Sequence, residues 1–438
     1  MSNRISNYAE NNNLLPDFQF GFRKSRSTVT AATVLYEAIY QRLRSKPKSS
    51  KTYVCFVDFA KCFDSVRRDI LFIKLQKLGF PTVLCELLHF VYANTKFYIR
   101  SGIHLVEAFE TSIGLPQGCC LSPILFCLFV YDLPDFLTHN GVPFHSFFLK
   151  YLQFADDLAL IADSPADLQK ALCSLEQYCN ANCLNINVDK TKIVVFYMGR
   201  QHKEVFYLGG KEVEQVTSFT YLGFTFTTQL SFTKHAENLN AKASSKCGIL
   251  LSKLPNFDFP LHIILDLFNC YILPTYRYGL SLWFGRTSEA VMVALDSVFT
   301  KFLKRYLGIP YTSNNSITHF ITGTEPLSII LQNMYLQSFN SLSFPSCMNG
   351  FKLNQSTGMH QQYQPLPLIP TYFWHSKYPG YLPTYAHSRK LLCKEIYDLY
   401  HQEYCTNTAF HLHPENECIC LNCGDRVTHY HMYFCLDH

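Results

Sequence analysis

The chain lacks any long uninterrupted apolar run and carries little net charge for its length. Its longest apolar stretch, at about residues 119–131, is interrupted and too short to span a bilayer, so we expect no membrane helix. A formal net charge of +5 over 438 residues excludes a histone-like polycation and leaves local basic patches as the features that could hold phosphates. Residues 1–16 are polar and rich in asparagine, so we expect no secretory signal and an intracellular protein of the nucleus or cytoplasm.

Cysteine, by contrast, is abundant, with 18 residues in the chain. In a reducing compartment a disulfide framework is not expected. We expect the cysteines of apolar segments, such as Cys127, Cys173, Cys179 and Cys183, to be buried as small hydrophobic side chains. A hydrophobic fraction of 48% is typical of globular proteins, and the length predicts two to four structural units.

The most informative segment, residues 151–160, places two adjacent aspartates, Asp156 and Asp157, within an apolar, strand-like run. Burying two like charges side by side is costly unless a cation compensates them. A divalent metal is the usual cation, and Mg²⁺ is held by one or two protein carboxylates together with substrate phosphates and water. The alternative is that the pair caps a tight turn, where aspartate is common. We interpret the segment as half of a two-metal site.

A third aspartate ends another apolar segment well upstream. Residues 51–57 have mostly strand-favouring or apolar side chains, and Asp58 follows them directly. The chain then continues into a helical pattern that stops near Gly79. Two apolar strands would thus bring Asp58 and Asp156 to one metal cluster, as two-metal phosphoryl transfer requires.

Several blocks of the sequence carry recognisable motifs in a fixed order. They are residues 19–28 (QFGFRKSRST), 58–65 (DFAKCFDS), 114–123 (GLPQGCCLSP), 154–157 (FADD), and 184–192 (LNINVDKTK) followed by 219–223 (FTYLG). This ordered set resembles the reverse transcriptases of non-LTR (LINE-type) retrotransposons over about residues 1–250, and it is more specific than any single block. The resemblance implies an RNA-directed DNA polymerase.

The resemblance also implies roles for individual residues. Asp58, Asp156 and Asp157 would hold two Mg²⁺ ions at the primer 3′-hydroxyl and the leaving pyrophosphate, with Asp58 and Asp156 as the main ligands. Phe63 would be the aromatic gate that rejects the 2′-hydroxyl of a ribonucleotide, and Phe59 would belong to the same nucleotide site. Helical periodicity alone would instead place Phe63 in the core.

The loop of residues 114–118 is a second candidate for nucleotide and template contact. Its glycines permit close backbone approach to a ligand, and the resemblance assigns Gln117 and Gly118 to positioning. A plain loop–helix junction is the alternative interpretation.

Basic residues provide candidates for phosphate contact. Lys190 or Lys192 could stabilise or protonate the leaving pyrophosphate, and the spacing after the asparagine pair favours Lys190. Arg23 and Arg26 are candidates for the triphosphate or the template backbone, because arginine makes bidentate phosphate contacts.

The C-terminus carries a separate pattern of cysteine and histidine. The predicted Zn²⁺ ligands are Cys420, Cys423, His431 and Cys435. Their types and loop length are typical of a CCHC zinc site, with His429 and Cys418 as rival ligands. A metal-free tail is the alternative, since the closing half departs from the usual spacing. Bound zinc would supply most of the folding energy of this small unit.

One helix can be predicted in detail directly after the paired aspartates. Ser164 is a good N-cap, Pro165 suits the first helical position, and Asp167 completes a capping-box spacing. The expected buried stripe is Leu168, Leu172, Leu175 and Cys179.

The expected fold class is α+β, a right-hand polymerase palm in which a split β-α-β arrangement of antiparallel strands is backed by helices. The predicted regions are partial fingers (1–52), palm (53–228), a helical thumb (229–342), a linker (343–386) and a C-terminal Cys/His element (387–438). Because the chain begins just before the first motif block, we expect an element copy truncated at its N-terminus.

Three functions compete at this point. The first is an RNA-directed DNA polymerase that binds an RNA template, a DNA primer and deoxynucleoside triphosphates. The second is a catalytically impaired remnant that only binds nucleic acid. The third, a two-metal nuclease, is disfavoured because a nuclease needs no nucleotide gate such as Phe63. The sequence predicts no membrane partner and leaves the oligomeric state open.

Overall fold

A computed structural model describes residues 1–45, 51–102, 104–105, 108–199, 203–253 and 259–338 of the chain. The predicted zinc ligands and the predicted linker lie outside these described residues. The described chain divides into two compact units. The first comprises Met1–Leu239, Tyr276–Met292 and the described residues from Leu331 onward, and the second comprises Asn240–Thr275 and Val293–Ile330.

The strands are short except at the centre of the first unit. In chain order they are β1 (Lys51–Val57), β2 (Lys96–Phe97), β3 (Arg100–Ser101), β4 (His104–Leu105), β5 (Phe109–Glu110), β6 (Val142–Phe144), β7 (Phe147–Leu149), β8 (Tyr151–Phe154), β9 (Asp157–Ala162), β10 (Lys192–Tyr197), β11 (Tyr207–Leu208), β12 (Lys211–Glu212), β13 (Ser218–Tyr221) and β14 (Phe224–Thr227).

Helices make up most of the remaining regular structure. In chain order they are α1 (Ser2–Asn11), α2 (Thr28–Ser45), α3 (Arg68–Lys77), α4 (Thr82–Ala93), α5 (Ser122–Phe129), α6 (Leu133–Phe136), α7 (Pro165–Asn182), α8 (Thr233–Lys253), α9 (Leu261–Leu267), α10 (Pro274–Arg277), α11 (Leu280–Trp283), α12 (Glu289–Leu307), α13 (Asn315–Thr322) and α14 (Leu327–Ser338). A π-helical turn, Phe268–Ile272, follows α9.

A four-stranded antiparallel sheet forms the centre of the first unit, with strand order β10-β1-β9-β8. Strands β9 and β10 are joined through α7, and β1 lies between them, antiparallel to both. This is the predicted split β-α-β arrangement, so the antiparallel palm-type sheet with its helices is confirmed.

Strand β1 is buried on both faces, with α5 and α7 packed on one face and rings of the β13–β14 hairpin packed on Phe56 on the other. Every residue of β1 after Lys51 is buried. Cys55 and Leu160 lie in one core cluster with Leu125 of α5 and Leu172 of α7. Hydrophobic burial therefore fixes the register of β1 against its neighbouring strands. The register in turn fixes the position of the residue that follows the strand.

Helix α7 begins and packs as its sequence predicts. The Ser164 hydroxyl accepts a hydrogen bond from the Asp167 backbone N–H at 3.1 Å, and Pro165 is the first helical residue. The predicted stripe of Leu168, Leu172, Leu175 and Cys179 is buried. The cap removes one unsatisfied N–H, and the stripe anchors the helix on the sheet that carries the aspartates.

The cysteine prediction is only half right. Cys127 and Cys179 are buried, but Cys173 and Cys183 are exposed. Cys173 lies on the outer face of α7, and Cys183 follows its last turn in a left-handed conformation with a φ of 54°. Periodicity places Cys179 on the buried stripe but not Cys173, which shows that helix phase, rather than residue type, decides burial here.

Within the described residues, no helix combines the length and apolarity needed to cross a membrane.

Candidate active site

Strand pairing brings the upstream aspartate to the paired aspartates. Val57, the last residue of β1, lies opposite Leu158 of β9. Asp58 therefore leaves the sheet at the position where Asp157 enters it. The two apolar strands predicted from the sequence deliver their carboxylates to one end of the sheet.

The paired aspartates lie at a tight hairpin turn and not within a continuous strand. Phe154 pairs with Asp157, which leaves Ala155 and Asp156 as a two-residue loop that we call the aspartate turn. Ala155 has a φ of 57° and Asp156 does not have a positive φ, a combination typical of a type II′ turn, where glycine is preferred at the first position. The tight turn that the sequence offers as an alternative is thus present, and the assignment of the aspartates to a metal cluster stays a prediction.

The carboxylates of the site repel one another. Crowding by protein atoms, followed by the charges of Asp156 and Asp58, raises the pKa of Asp157 to about 6. Burial and then the same two charges raise the pKa of the nearby Cys62 thiol. Within the described part of the chain, no ion pair neutralises Asp58, Asp156 or Asp157. Within the described residues the three carboxylates therefore have no ion-pair partner.

These carboxylates fit Mg²⁺ without forming a complete cage. Among the described residues, no group of three or more His, Cys, Asp or Glu side chains is arranged to hold a metal by itself. Mg²⁺ needs only one or two protein carboxylates, because it completes its octahedral shell with water and substrate phosphates. The charge that remains unpaired at the end of β1 and in the aspartate turn is what such an ion would compensate.

The last palm-like motif holds Asp58 in place through its backbone. The Asp58 N–H donates to the Thr191 hydroxyl at 3.2 Å, and the Asp58 carbonyl accepts from the Asn187 N–H at 2.8 Å. The next residue but one, Ala60, donates to the Asn185 carbonyl at 2.8 Å. Backbone hydrogen bonds therefore hold the segment after β1 on both sides. These bonds leave the Asp58 carboxylate unused, and no ion pair engages it among the described residues.

A cavity of about 500 Å³ opens beside the carboxylates. Its charged lining comprises Asp58, Asp157, Asp189, Lys190 and Lys192, and its apolar lining includes Phe56, Phe219 and Tyr221. Phe56 stacks on Phe219 with ring centroids 4.7 Å apart. A lining that combines packed aromatic rings with charged side chains suits a ligand that has both an apolar ring and phosphates.

The two candidate lysines differ in their contacts. The Lys192 ammonium forms an ion pair with Glu214 at 2.7 Å and donates to the Asp189 carbonyl. The Lys190 side chain is exposed at the cavity, and no ion pair of Lys190 is found among the described residues. This difference agrees with the choice of Lys190 over Lys192 for phosphate chemistry.

The aromatic candidates lie next to the carboxylates but not in the cavity lining. Phe63 is half-buried, stacks on Phe126 with centroids 4.6 Å apart, and meets the edge of Phe22 at 6.4 Å. Phe22 is 50% exposed at a φ of 58°. Phe59 is buried and bridged by its backbone to Ile186. Phe63 thus has both a core contact and a partly open face.

The loop of residues 114–118 is tied to the segment after Asp58. The Gly114 N–H donates to the Val66 carbonyl and the Leu115 N–H to the Phe63 carbonyl, each at 2.8 Å. Gly118 has a φ of 84°, and a side chain added there would meet nothing within 4 Å. Gln117 is exposed at this open position. The loop can therefore receive a ligand, although the cavity beside the carboxylates does not include it.

Arg23 and Arg26 are engaged by the protein itself. The Arg23 guanidinium pairs with Glu10 at 2.7 Å and also donates to the Pro16 carbonyl, and its side chain is only 6% exposed. Arg26 lies over the Phe20 ring and bonds the Asp17 carbonyl. These contacts favour a structural role for both arginines, so the structure does not support their assignment to phosphate binding, which stays a prediction.

Motif reasoning missed three buried polar residues that support the site. Gln19, Gln153 and Thr191 are each at most 1% exposed. Gln153 interrupts an otherwise apolar strand, and a buried amide in such a place requires hydrogen-bond partners. That requirement is the signal from which a supporting role could have been predicted.

Residues 1–226 match the family “Reverse transcriptase (RNA-dependent DNA polymerase)”. This chain belongs to that family. Two Drosophila melanogaster proteins titled “Probable RNA-directed DNA polymerase”, from transposon X-element and from transposon BS, are similar to it. They are 24% and 27% identical over 327 and 329 residues, which cover 72% and 73% of this chain and 34% and 35% of the relatives. The predicted kinship with non-LTR reverse transcriptases is thereby confirmed.

The chain spans about a third of the length of those relatives. Among solved structures, a telomerase from Candida tropicalis in complex with the TWJ fragment of telomeric RNA aligns with a TM-score of 0.40 at 13% identity. That alignment covers 80% of this chain and 55% of the telomerase chain.

Proposed function

We propose that this chain is an RNA-directed DNA polymerase of a non-LTR retrotransposon, which adds deoxynucleotides to a DNA primer on an RNA template. The observation that carries the proposal is the register of β1 and β9, which sets Asp58 beside the aspartate turn, where no ion pair among the described residues neutralises the carboxylates. Membership of the reverse transcriptase family supports the same reaction.

Asp58 and Asp156 would be the main ligands of two Mg²⁺ ions, with Asp157 beside them. When bound, Mg²⁺ would lower the pKa of the primer 3′-hydroxyl and neutralise the leaving pyrophosphate. Burial and the charges of Asp156 and Asp58 raise the pKa of Asp157 to about 6, so this carboxyl takes up a proton as the pH falls through about 6 when no cation is present. We therefore assign it a weaker share of the metal than Asp58 and Asp156.

Side chains around the carboxylates would hold the nucleotide. Lys190 faces the cavity without an ion-pair partner among the described residues. Its ammonium group would protonate the leaving pyrophosphate or stabilise its negative charge. Phe63 would form the gate against a ribose, supported from behind by Phe126. Gln117 and Gly118 would position the template or the base from their open loop.

The flanking regions would serve the nucleic acid. We assign residues 1–52 to partial fingers and residues 229–342 to a thumb, in which Lys234 and Lys242 are exposed on α8 and can meet a phosphate backbone. The C-terminal Cys/His element stays a proposal for zinc-dependent nucleic-acid contact.

The test is primer extension on an RNA template with Mg²⁺ and deoxynucleotides. Asp58→Asn and Asp156→Asn should each lower extension by at least about 100-fold, because each removes a charged ligand from the reacting phosphate. Template–primer binding, measured separately by fluorescence anisotropy, should stay within about twofold because the phosphate contacts lie elsewhere.

Asp135→Asn is the matched control, since Asp135 is exposed in α6 and has no ion pair among the described residues. It should extend primers like the parent chain. A parent chain that binds template–primer but extends nothing would contradict the proposed polymerase, as would full extension by Asp156→Asn.

A further inference from the structure

A buried glutamine from the N-terminal segment contacts the aspartate turn. Gln19 is 1% exposed, and its side-chain oxygen accepts two backbone hydrogen bonds. One comes from the Gly21 N–H at 2.8 Å and the other from the Ala155 N–H at 3.1 Å. The side chain thus joins the chain at residue 21 to the residue directly before Asp156.

A second glutamine holds the other side of the same residue. The Gln153 amide donates to the Ala155 carbonyl at 3.0 Å. Both backbone polar groups of Ala155 are therefore satisfied by side-chain amides, since the tight turn leaves them without strand partners.

The segment that carries Gln19 is aligned on β8 by its backbone. The Gln153 N–H donates to the Phe18 carbonyl at 2.9 Å, and the Phe20 N–H donates to the Gln153 carbonyl at 2.7 Å. Gly21 then approaches so closely that a side-chain carbon there would lie 2.3 Å from the Ala155 nitrogen. Gln19 therefore reaches the turn from a rigid support.

The turn needs such support because its backbone is strained. Ala155 has a φ of 57°, a left-handed conformation that costs a residue with a side chain roughly 1–2 kcal/mol. An unsupported turn would relax toward other conformations and would move Asp156, which follows directly. Strain at a functional turn persists only where surrounding contacts hold it.

We propose that Gln19 is a positioning residue that holds the aspartate turn so that Asp156 can bind the catalytic Mg²⁺. Among the described residues, the Gln19 side chain hydrogen-bonds only to backbone groups, so it acts through Ala155 and not on substrate. The inference rests on the proposed function for its catalytic consequence, but its metal-binding consequence can be measured without catalysis.

The experiment replaces Gln19 by leucine, which keeps the volume and removes both hydrogen bonds. Binding of Mn²⁺ as a Mg²⁺ substitute is followed by electron paramagnetic resonance, and primer extension is titrated with Mg²⁺. We expect Mn²⁺ affinity and kcat each to fall about tenfold, with template–primer affinity within about twofold, because a small displacement of a ligand weakens metal binding and catalysis together.

Two further variants test the chemistry of the contact. Gln19→Glu should restore metal affinity to within about threefold of the parent, because the carboxyl group keeps an acceptor oxygen for both N–H groups. Gln169→Leu is the matched control: Gln169 also bonds the backbone N–H and carbonyl of one residue, Tyr207, but in the β11–β12 hairpin away from the turn. That variant should leave metal affinity unchanged.

Each result decides the proposal. Equal Mn²⁺ affinity in the parent and Gln19→Leu, or no Mn²⁺ bound by the parent, overturns it. Weaker Mn²⁺ binding by Gln19→Leu than by the parent, in combination with a parent chain that extends no primer, supports the positioning role while contradicting the proposed function. Should Gln19→Leu not fold, as judged by circular dichroism, Gln19→Asn carries the same measurement with a shorter amide.

Discussion

Two hairpin turns of the first unit solve the same backbone problem in different ways. In the aspartate turn Ala155 has a φ of 57°, and in the turn between β13 and β14 Leu222 has a φ of 48° followed by Gly223 at 83°. Both turns place a residue with a side chain in the left-handed region, where it is strained. The aspartate turn is held by buried glutamine amides, whereas the β13–β14 turn is held by an exposed tyrosine hydroxyl.

That tyrosine, Tyr278, is 40% exposed. Its hydroxyl contacts the Leu222 carbonyl at 2.8 Å and the Thr28 hydroxyl at 2.9 Å, and its ring stacks on Phe224 at 5.1 Å. Water can replace part of this support at an exposed position, but it cannot reach the buried amides of the aspartate turn. The comparison indicates that the aspartate turn, which bears the proposed metal ligands, is the more rigidly constrained of the two.

Among substitutions that alter the support of either turn, the largest effect is expected for Gly21→Ala, because the added carbon meets backbone atoms of the aspartate turn. It would lie 2.3 Å from the Ala155 nitrogen and 3.0 Å from the Phe154 carbonyl carbon, so the turn must shift. We expect a loss of about 1–3 kcal/mol in the free energy of unfolding, measured with urea, and at least about tenfold lower extension.

Gly248→Ala is the matched control for that substitution. Gly248 lies within α8, and a side-chain carbon there meets nothing within 4 Å. Alanine should raise stability by about 0.5–1 kcal/mol because it favours the helix. Parent-like activity of Gly21→Ala would show that the aspartate turn tolerates displacement and would remove the contrast between the turns.

A smaller effect is expected for Tyr278→Phe at the other turn. The ring and its stacking on Phe224 remain, but the hydroxyl contacts to Leu222 and Thr28 are lost. We expect a loss of about 1 kcal/mol in the free energy of unfolding and unchanged Mn²⁺ affinity. Tyr207→Phe serves as control, since Tyr207 is exposed and its hydroxyl has no hydrogen bond among the described residues. A tenfold loss of Mn²⁺ affinity in Tyr278→Phe would mean that the two turns act as one.

The sequence predicts the elements that carry the aspartates better than it predicts their supports. Strand β1 and helix α7 can be predicted because an apolar pattern and an N-cap are local sequence signals. The order of the motifs identifies the family. A tight turn is one of the two interpretations that the sequence allows, but the positive φ of Ala155 cannot be predicted, since alanine is not a residue expected there. The tertiary contacts of Gln19 and Gln153 explain it.

The contacts of Arg23 likewise could not be predicted from local sequence. An arginine in a motif block predicts phosphate contact, but its guanidinium is satisfied by Glu10 and by backbone carbonyls. The partner of a long charged side chain depends on a segment elsewhere in the chain, which no local pattern specifies. Charge type is therefore a weaker guide to function than the register that brings Asp58 to Asp157.

The smallest effect, and the sharpest test of the comparison, is the coupling between a turn and its support. Ala155→Gly and Leu222→Gly each relieve positive-φ strain while adding freedom to the unfolded chain, so each alone should change stability by less than about 1 kcal/mol. If the hydrogen bonds of Gln19 hold Ala155 in its strained conformation, Gln19→Leu should lower the free energy of unfolding less in the Ala155→Gly background than in the parent. We expect an interaction energy of about 0.5–1 kcal/mol from a double-mutant cycle in urea.

The same cycle with Leu222→Gly should be additive within about 0.5 kcal/mol, because Gln19 has no contact with the β13–β14 turn among its hydrogen bonds. Additivity in both cycles would mean that the buried amides satisfy the backbone of the aspartate turn without opposing its strain.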